Sequence, residues 1–350
     1  MNSGVHPWNR SRWEALTGER ERLPHALLLH GPAGVGKRRF ALELARWLLC
    51  AAPTADAACS QCPSCHWFEQ GHHPDFRLLE PEERRTPSGE SDASAVQTDA
   101  GEDGETSPTS AKKASKYIRI EDVRAVGEFL SLVAHQHGWR VVILEPAERM
   151  NANAANALLK TLEEPPPRVM LILVSHQMRR LPATVLSRCR KLAFERPERT
   201  AALAWLQGEG LDASALDEAG GAPLLALEYA DPERMLRRER FLAGLERAGV
   251  DAGFELAEEH KNRLDEAWGW MSRWLCDLLQ VRAGGRPRYF PEHRARIEAL
   301  ARQASHAGLW RLQQELTLGA RWLQHSLNGQ ILLESWFIRY AECMESSDGG

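Results

Sequence analysis

The sequence predicts an α/β domain built on a mostly parallel sheet and followed by an all-helical second half. Three observations carry this expectation. Short apolar runs alternate with helical patterns as far as Phe194, a glycine-rich turn follows the first of those runs, and β-like runs vanish after Pro197.

The first run, 26–29, ends at His30 and Gly31 and is short enough for a strand buried on both faces. After the glycine turn, Phe40, Leu42, Leu44, Ala45, Leu48 and Leu49 recur at helical spacing in a segment free of Gly and Pro as far as Cys50. Strand, turn and helix make a βα unit. Further strands are expected at 76–79, 141–144, 170–174 and 192–194, with helices over 121–133 and 152–162 between them. Between 80 and 116, Val96 is the one branched apolar side chain among Glu, Asp, Ser, Thr, Pro, Gly and Lys. Such a stretch cannot bury enough surface to offset its ordering entropy, so a disordered insertion is expected there. Turn signals at Gly220-Gly221 and at Gly284-Gly285-Arg286-Pro287 punctuate the helical half. The expected organisation is a nucleotide-type domain over 1–196, with a cysteine module at 50–65, then a small helical domain over 197–240 and a larger one over 241–345.

With 350 residues and a net charge of −4, the chain lacks the basic excess of a protein held on nucleic acid by counterion release. No run of 18 apolar residues occurs and the N-terminus does not read as a leader, which predicts a cytoplasmic chain with no membrane contact. Seven cysteines are too sparse for a secreted disulfide framework, and four of them fall between positions 50 and 65.

Gly31-Pro-Ala-Gly34-Val-Gly36-Lys37 fits the first seven positions of the phosphate-binding loop G-x-x-x-x-G-K. The glycines let backbone N–H groups close around phosphate oxygens at a helix N-terminus, and the lysine adds a point charge. The eighth position, a Ser or Thr that holds magnesium, is Arg38. The run 141–144, where a metal-associated carboxylate should follow, ends in Glu145-Pro146-Ala147-Glu148, and Pro146 stands where a carboxylate would polarise the attacking water. Both arms of a hydrolytic site are damaged. Glu145 and Glu148 are therefore expected to be solvated charges at a helix start rather than catalytic groups.

Cys50, Cys59, Cys62 and Cys65 offer four thiolates with two tight spacings and one longer loop, a set suited to structural zinc in a tetrahedron. Ser60, Gln61, Pro63 and Ser64 around them do not make an apolar core. His66, His72 and His73 are read as bystanders, because an open catalytic site would draw His or carboxylate into its ligand set. The stretch 151–167 reads as a helix stopped by prolines, and Ser187-Arg188-Cys189 ends another just before the last strand.

Together the cysteine quartet directly after the phosphate-loop helix, Ala154-Ala-Asn-Ala-Leu-Leu-Lys-Thr-Leu-Glu-Glu-Pro-Pro166, Ser187-Arg188-Cys189 and the helical second half resemble the delta-prime family of bacterial DNA polymerase III clamp-loader subunits, within the AAA+ group. The resemblance implies an AAA+ domain, a helical lid and a C-terminal collar domain in a ring with motor subunits and a delta subunit. It implies a rigid, non-motor partner in loading the sliding clamp onto primed DNA, and so a component of a DNA-directed DNA polymerase holoenzyme, a nucleotidyltransferase, without catalysis of its own. It also gives Arg188 a role as an arginine finger reaching the ATP site of a neighbouring motor subunit. Motor subunits begin a lid helix with Gly-Ser-x-Arg, whereas Gly221-Ala222-Pro223 here leads into Leu224. Gly31, Gly34, Gly36 and Lys37 survive, which is compatible with ATP binding without turnover.

Two other classes share parts of this pattern. A zinc-containing P-loop nucleotide kinase or ATPase would share the loop and the cysteines, but Arg38 and Pro146 argue against it. A zinc module for nucleic acid would interleave basic side chains with the cysteines, yet between positions 50 and 65 Asp56 is the sole charge. In the C-terminal half, Leu309, Leu312, Leu316, Ala320, Leu323, Leu327 and Ile331 are expected to share one buried helix face. Trp270, Trp274, Trp310 and Trp322 are expected off the buried stripes, at an oligomerisation surface or in the core.

Overall fold

The computed structural model describes residues 4–84, 115–132, 138–319 and 328–345. It divides into two compact units, 1–195 and 196–350.

The first unit opens with α1 (Arg10–Thr17) and then runs β1 (Ala26–His30), α2 (Lys37–Leu49), α3 (Pro63–Glu69), β2 (Phe76–Leu79), α4 (Ile120–Ser131), β3 (Arg140–Leu144), α5 (Ala152–Glu163), β4 (Val169–Ser175), α6 (Ala183–Leu186) and β5 (Arg190–Ala193). The five strands form one parallel sheet in the order β2-β3-β4-β1-β5. Every residue of β3 and β4 is buried, as is β1 as far as Leu29, which is why these strands read as unbroken apolar runs. The edge strand β5 differs. It starts at Arg190 rather than Leu192, and its side chains are largely exposed. Arg and Lys mask an edge strand from an apolar reading, and they also blunt it against stray pairing. Val123, Val126 and Leu130 of α4 and Ala155, Leu158 and Leu162 of α5 cover one face of the sheet.

Most of the insertion expected over 80–116 lies outside the described residues. Its described ends belong to the fold: the Ser115 N–H donates to Glu82 Oε2 at 2.9 Å, and the Glu83 N–H reaches Ser115 O at 3.4 Å. The sheet domain thus extends past residue 80 and resumes at 115.

The second unit is helical throughout its described residues: α7 (Arg199–Gly208), α8 (Ala213–Glu218), α9 (Pro223–Tyr229), α10 (Pro232–Arg247), α11 (Val250–His260), α12 (Leu264–Arg282), α13 (Arg294–Gln303), α14 (His306–Gly319) and α15 (Gly329–Glu345). A small core of Ala202, Leu206, Leu216, Ala219 and Ala226 serves α7 to α9, and a larger one gathers side chains from α10 to α15. α10 runs unbroken through residue 240. Leu309, Leu312 and Leu316 are buried as expected, but Ile331 is 62% exposed near the start of a different helix. Ala320, Trp322, Leu323 and Leu327 lie outside the described residues. Trp270 and Trp274 are fully buried, so they are core residues, while Trp310 is 53% exposed.

A buried ion cluster ties α8 to α10. Glu218 Oε1 accepts from Arg234 Nη2 at 2.8 Å, its Oε2 lies 2.9 Å from Arg238 Nε, and Trp270 Nε1 donates to the same carboxylate at 3.3 Å. Removing one partner of such a cluster leaves uncompensated buried charge. Glu218→Ala is expected to cost about 3–5 kcal/mol, read as a lower urea midpoint for the second unit, because the buried Arg234 would lose its carboxylate while Arg238 kept Glu292.

Candidate functional site: phosphate loop, cysteine quartet and Arg188

The phosphate loop joins β1 to α2 as the sequence indicated. Gly31, Gly34 and Gly36 all take positive φ, at 145°, 73° and 93°. Gly31 has a second reason to lack a side chain, since a Cβ there would fall 2.0 Å from the carbonyl oxygen of Phe194. A Cβ on Gly36 would strike the His6 ring at 2.8 Å. The N-terminal segment presses on the loop from that side: Trp8 Nε1 and Asn9 Nδ2 both donate to Val35 O, at 3.0 and 2.9 Å. Nothing in the sequence pattern flagged these three residues, because their partners lie some 27 positions away.

Lys37 is buried at 2% exposure, and its ammonium donates to the loop carbonyls of Gly31, at 2.7 Å, and Pro32. Burial pulls its pKa down to about 8, against the opposing pull of Glu148 and Glu145. Arg38 points along the C-terminal ends of β2 and β3. Its Nη1 donates to Glu145 Oε2 at 2.8 Å and also to Glu80, which Nη2 meets at 3.3 Å. Glu145 is 3% exposed, so it is not the solvated helix-start charge expected; burial pushes its carboxyl pKa up while Arg38 pulls it back. Glu148 accepts the His176 N–H at 2.9 Å, and burial, with Lys37 nearby, pushes the His176 pKa down to about 4. A hydrolytic magnesium does not fit this arrangement. The residue that should offer a hydroxyl offers a cation, and that cation already occupies the carboxylate at the end of β3.

At the other end of α2 the four cysteines converge. The Sγ atoms of Cys50, Cys59, Cys62 and Cys65 all lie within 4.8 Å of one another, with Cys50 to Cys62 and Cys59 to Cys65 each at 4.0 Å. Sulfurs bound to one zinc at about 2.3 Å in a tetrahedron stand about 3.8 Å apart, so the quartet could hold a metal such as zinc. None of the four is in a disulfide. The Cys59 N–H approaches Cys50 Sγ at 3.2 Å, and N–H groups of Gln61 and Cys62 pull the Cys59 pKa down to about 6. The loop leading to Cys59 is pinned by two indoles, Trp13 Nε1 donating to Asp56 O at 2.9 Å and Trp47 Nε1 to Thr54 O at 2.7 Å. His73 is engaged elsewhere: Nε2 meets Ser64 Oγ at 2.7 Å, Nδ1 accepts the Asp75 N–H at 3.0 Å, and Ser64 Oγ donates to Leu49 O at 2.6 Å. This chain of bonds seats α3 on the end of α2 and keeps His73 from the sulfurs. His66 and His72 are exposed. That Pro63 starts a helix carrying Cys65 was not read from the sequence, although Pro at a first helical position signals it.

Arg188 follows α6. Its Nη1 donates to Thr184 O at 2.9 Å and lies 3.4 Å from Ser187 Oγ, and its Nη2 pairs with Glu163 Oε1 at 2.6 Å. About a third of the side chain is exposed. It is remote from the phosphate loop. Arg190 pairs with Leu27 in the sheet register, which puts Arg188 level with His25, six residues before Gly31. At about 3.3 Å per residue that is about 20 Å along the strands.

Sequence comparison agrees with these features. A family described as DNA polymerase III, delta subunit matches residues 13–198, and one described as DNA polymerase III, delta subunit, C terminal matches 232–342. DNA polymerase III subunit delta' of Pseudomonas aeruginosa is 34% identical over 96% of this chain and 97% of its own length. The subunits of that name from Yersinia pestis and Escherichia coli K12 are each 31% identical over 80% of this chain and 77% of their own. A solved DNA polymerase III gamma subunit-related protein from Thermotoga maritima aligns with 95% of this chain and 99% of its own at 17% identity, with a TM-score of 0.40, too distant in shape to inform the fold. With its family match running from α1 through the sheet and its relatives aligned over most of both chains, this chain belongs to the delta-prime family of DNA polymerase III subunits.

Proposed function

We propose that this chain is the non-motor delta-prime member of a bacterial clamp loader, which helps place the sliding clamp on primed DNA alongside motor and delta subunits. In this reading its own phosphate loop does no hydrolysis, and Arg188 completes the ATP site of a neighbouring motor subunit. The observation that carries the proposal is the Arg38 guanidinium lodged against Glu145 and Glu80, which leaves the loop without a place for hydrolytic magnesium. The three-part organisation belongs to the same reading: a sheet domain, a lid built on α7 to α9, and a C-terminal helical domain that joins a collar. The distance of Arg188 from its own loop supports action on another chain rather than in cis. Gly31, Gly34, Gly36 and Lys37 retain the shape of a phosphate cradle, and nucleotide held there would be a static ligand. Among the described residues no helix is long and apolar enough to cross a membrane.

The cysteine quartet is assigned structural zinc. Four protein thiolates close the tetrahedron and leave no position for a reacting water. Protein purified without chelator is expected to carry about one zinc per chain by elemental analysis, with Cys59→Ser or Cys62→Ser losing it. Apparent binding energies of about 10–16 kcal/mol couple such sites to local folding, so loss of metal should open the 50–65 segment to protease. Zinc-free protein with an intact 50–65 segment would overturn the assignment.

The isolated chain is expected to show no magnesium-dependent ATPase. Arg38→Thr alone should not create it, because Pro146 still replaces the water-polarising carboxylate. Turnover by the wild-type chain that Lys37→Ala abolishes would contradict the static reading of the loop.

Arg188→Ala is expected to slow ATP hydrolysis and clamp loading by the reconstituted complex. Fingers supplied in trans contribute on the order of 10³–10⁵ at the site they serve, diluted in total turnover by the other sites of the ring. The exposed contacts of Arg188 are worth no more than about 1 kcal/mol, so melting of the isolated chain should barely move. Lysine should not rescue, since it keeps the charge and loses the planar fork. Wild-type rates with Arg188→Ala would remove the trans-acting role.

A further inference from the structure

We infer that Glu163 is the positioning residue for Arg188, holding its guanidinium in the orientation that meets the neighbour's phosphate; this rests on the trans-acting reading above. The guanidinium is gripped from two different elements. Thr184 O, in α6, takes Nη1, and Glu163 Oε1, at the end of α5, takes Nη2 at 2.6 Å. Two contacts in different directions fix the plane of the fork as well as its position. Nε makes no bond among the described residues, which leaves an N–H of the guanidinium for an outside acceptor.

Glu163 is itself well anchored. Leu162 beside it is 2% exposed, the Glu164 N–H donates to Lys160 O at 3.1 Å, and Pro165, Pro166 and Pro167 stiffen the exit from the helix. The residue type is not explained by its own helix. A carboxylate in the last turn opposes the helix dipole, where Lys or Arg would be favoured. Nor is it explained by stability, because the pair is half exposed on the Glu side and such pairs contribute little. What the pair does supply is a narrowed set of orientations for a long, flexible side chain, so that less ordering remains for the moment of phosphoryl transfer.

The test uses the reconstituted complex with Glu163→Ala, Glu163→Gln, Arg188→Ala and the Glu163→Ala/Arg188→Ala double variant, each checked for incorporation by native mass measurement. Glu163→Ala is expected to lower turnover at the site Arg188 serves by about tenfold, read as a partial loss of the complex's kcat no larger than that of Arg188→Ala, with KM and melting unchanged, as misplacement without loss of the group does. Glu163→Gln should recover part of the rate, since its amide oxygen still accepts from Nη2. The double variant should be no slower than Arg188→Ala alone, because a positioning residue has no effect once its client is gone. If Arg188→Ala is slow while Glu163→Ala turns over at the wild-type rate, the positioning role is wrong and the trans-acting reading stands. Slowing by Glu163→Ala on top of Arg188→Ala would also overturn it, placing Glu163 in some other task. Wild-type turnover with Arg188→Ala would defeat the trans-acting reading itself and the positioning role with it.

Discussion

The Arg38 guanidinium lies between two carboxylates, Glu80 just past β2 and Glu145 just past β3, and the character of the whole sheet edge follows from that pairing. Glu145 is buried, and a buried carboxylate needs a partner charge. In a hydrolytic site a hydroxyl-held metal ion would supply it, and the ion would come and go with nucleotide. Arginine stays protonated at any pH the cell reaches, so here the compensating charge is covalently part of α2. The loop is held by protein contacts on its other sides as well. Lys37 turns back onto the carbonyls of Gly31 and Pro32, and His6, Trp8 and Asn9 close over Val35 and Gly36.

The same helix carries the cysteine module at its other end. α2 spans thirteen residues, about 20 Å at 1.5 Å per residue, from the phosphate loop to Cys50. Its inner face is held by Phe40, Leu44 and Trp47, and its last carbonyl, Leu49 O, receives the Ser64 hydroxyl. Zinc on four thiolates would lock the end of α2 to α3 where the intervening loop has few apolar side chains to do so. Both ends of α2 thus carry more than core packing: an arginine among carboxylates at one, four cysteines that could hold a metal at the other.

How much of this was legible depends on where the partners of each residue lie along the chain. β1, β3 and β4 were legible because burial on both faces leaves an apolar run, the edge strand β2 because Phe76, Leu78 and Leu79 still make one, and the cysteine quartet because its ligands are close in sequence. β5 shifted by two residues because Arg190 and Lys191 sit on an exposed edge, and α1 and α3 are too short to show a period. Arg38 and Glu145 were each legible as a departure from a hydrolytic pattern. That the two departures satisfy one another was not, since 107 positions separate them. The sequence leaves Trp270 and Trp274 open between interface and core because tryptophan serves both alike; their aromatic partners, Phe241 and Phe290, lie on other segments of the chain.

A parallel sheet has two chemically different ends, and this chain uses them differently. The C-terminal ends of β1, β2 and β3 carry the phosphate loop, Glu80 and Glu145, where the fold ordinarily binds its ligand. The connections that enter β4 and β5 lie at the opposite end, and they carry Glu163 and Arg188. The ion pair at the first end shares no residue with the Arg188–Glu163 pair at the second, about 20 Å away along the strands. The contacts that order the Arg188 guanidinium are thus separate from those that close the phosphate loop. The two arginines differ in what they do for the chain itself: the Arg188 contacts are exposed and contribute little, whereas Arg38 supplies the charge that the buried Glu145 needs.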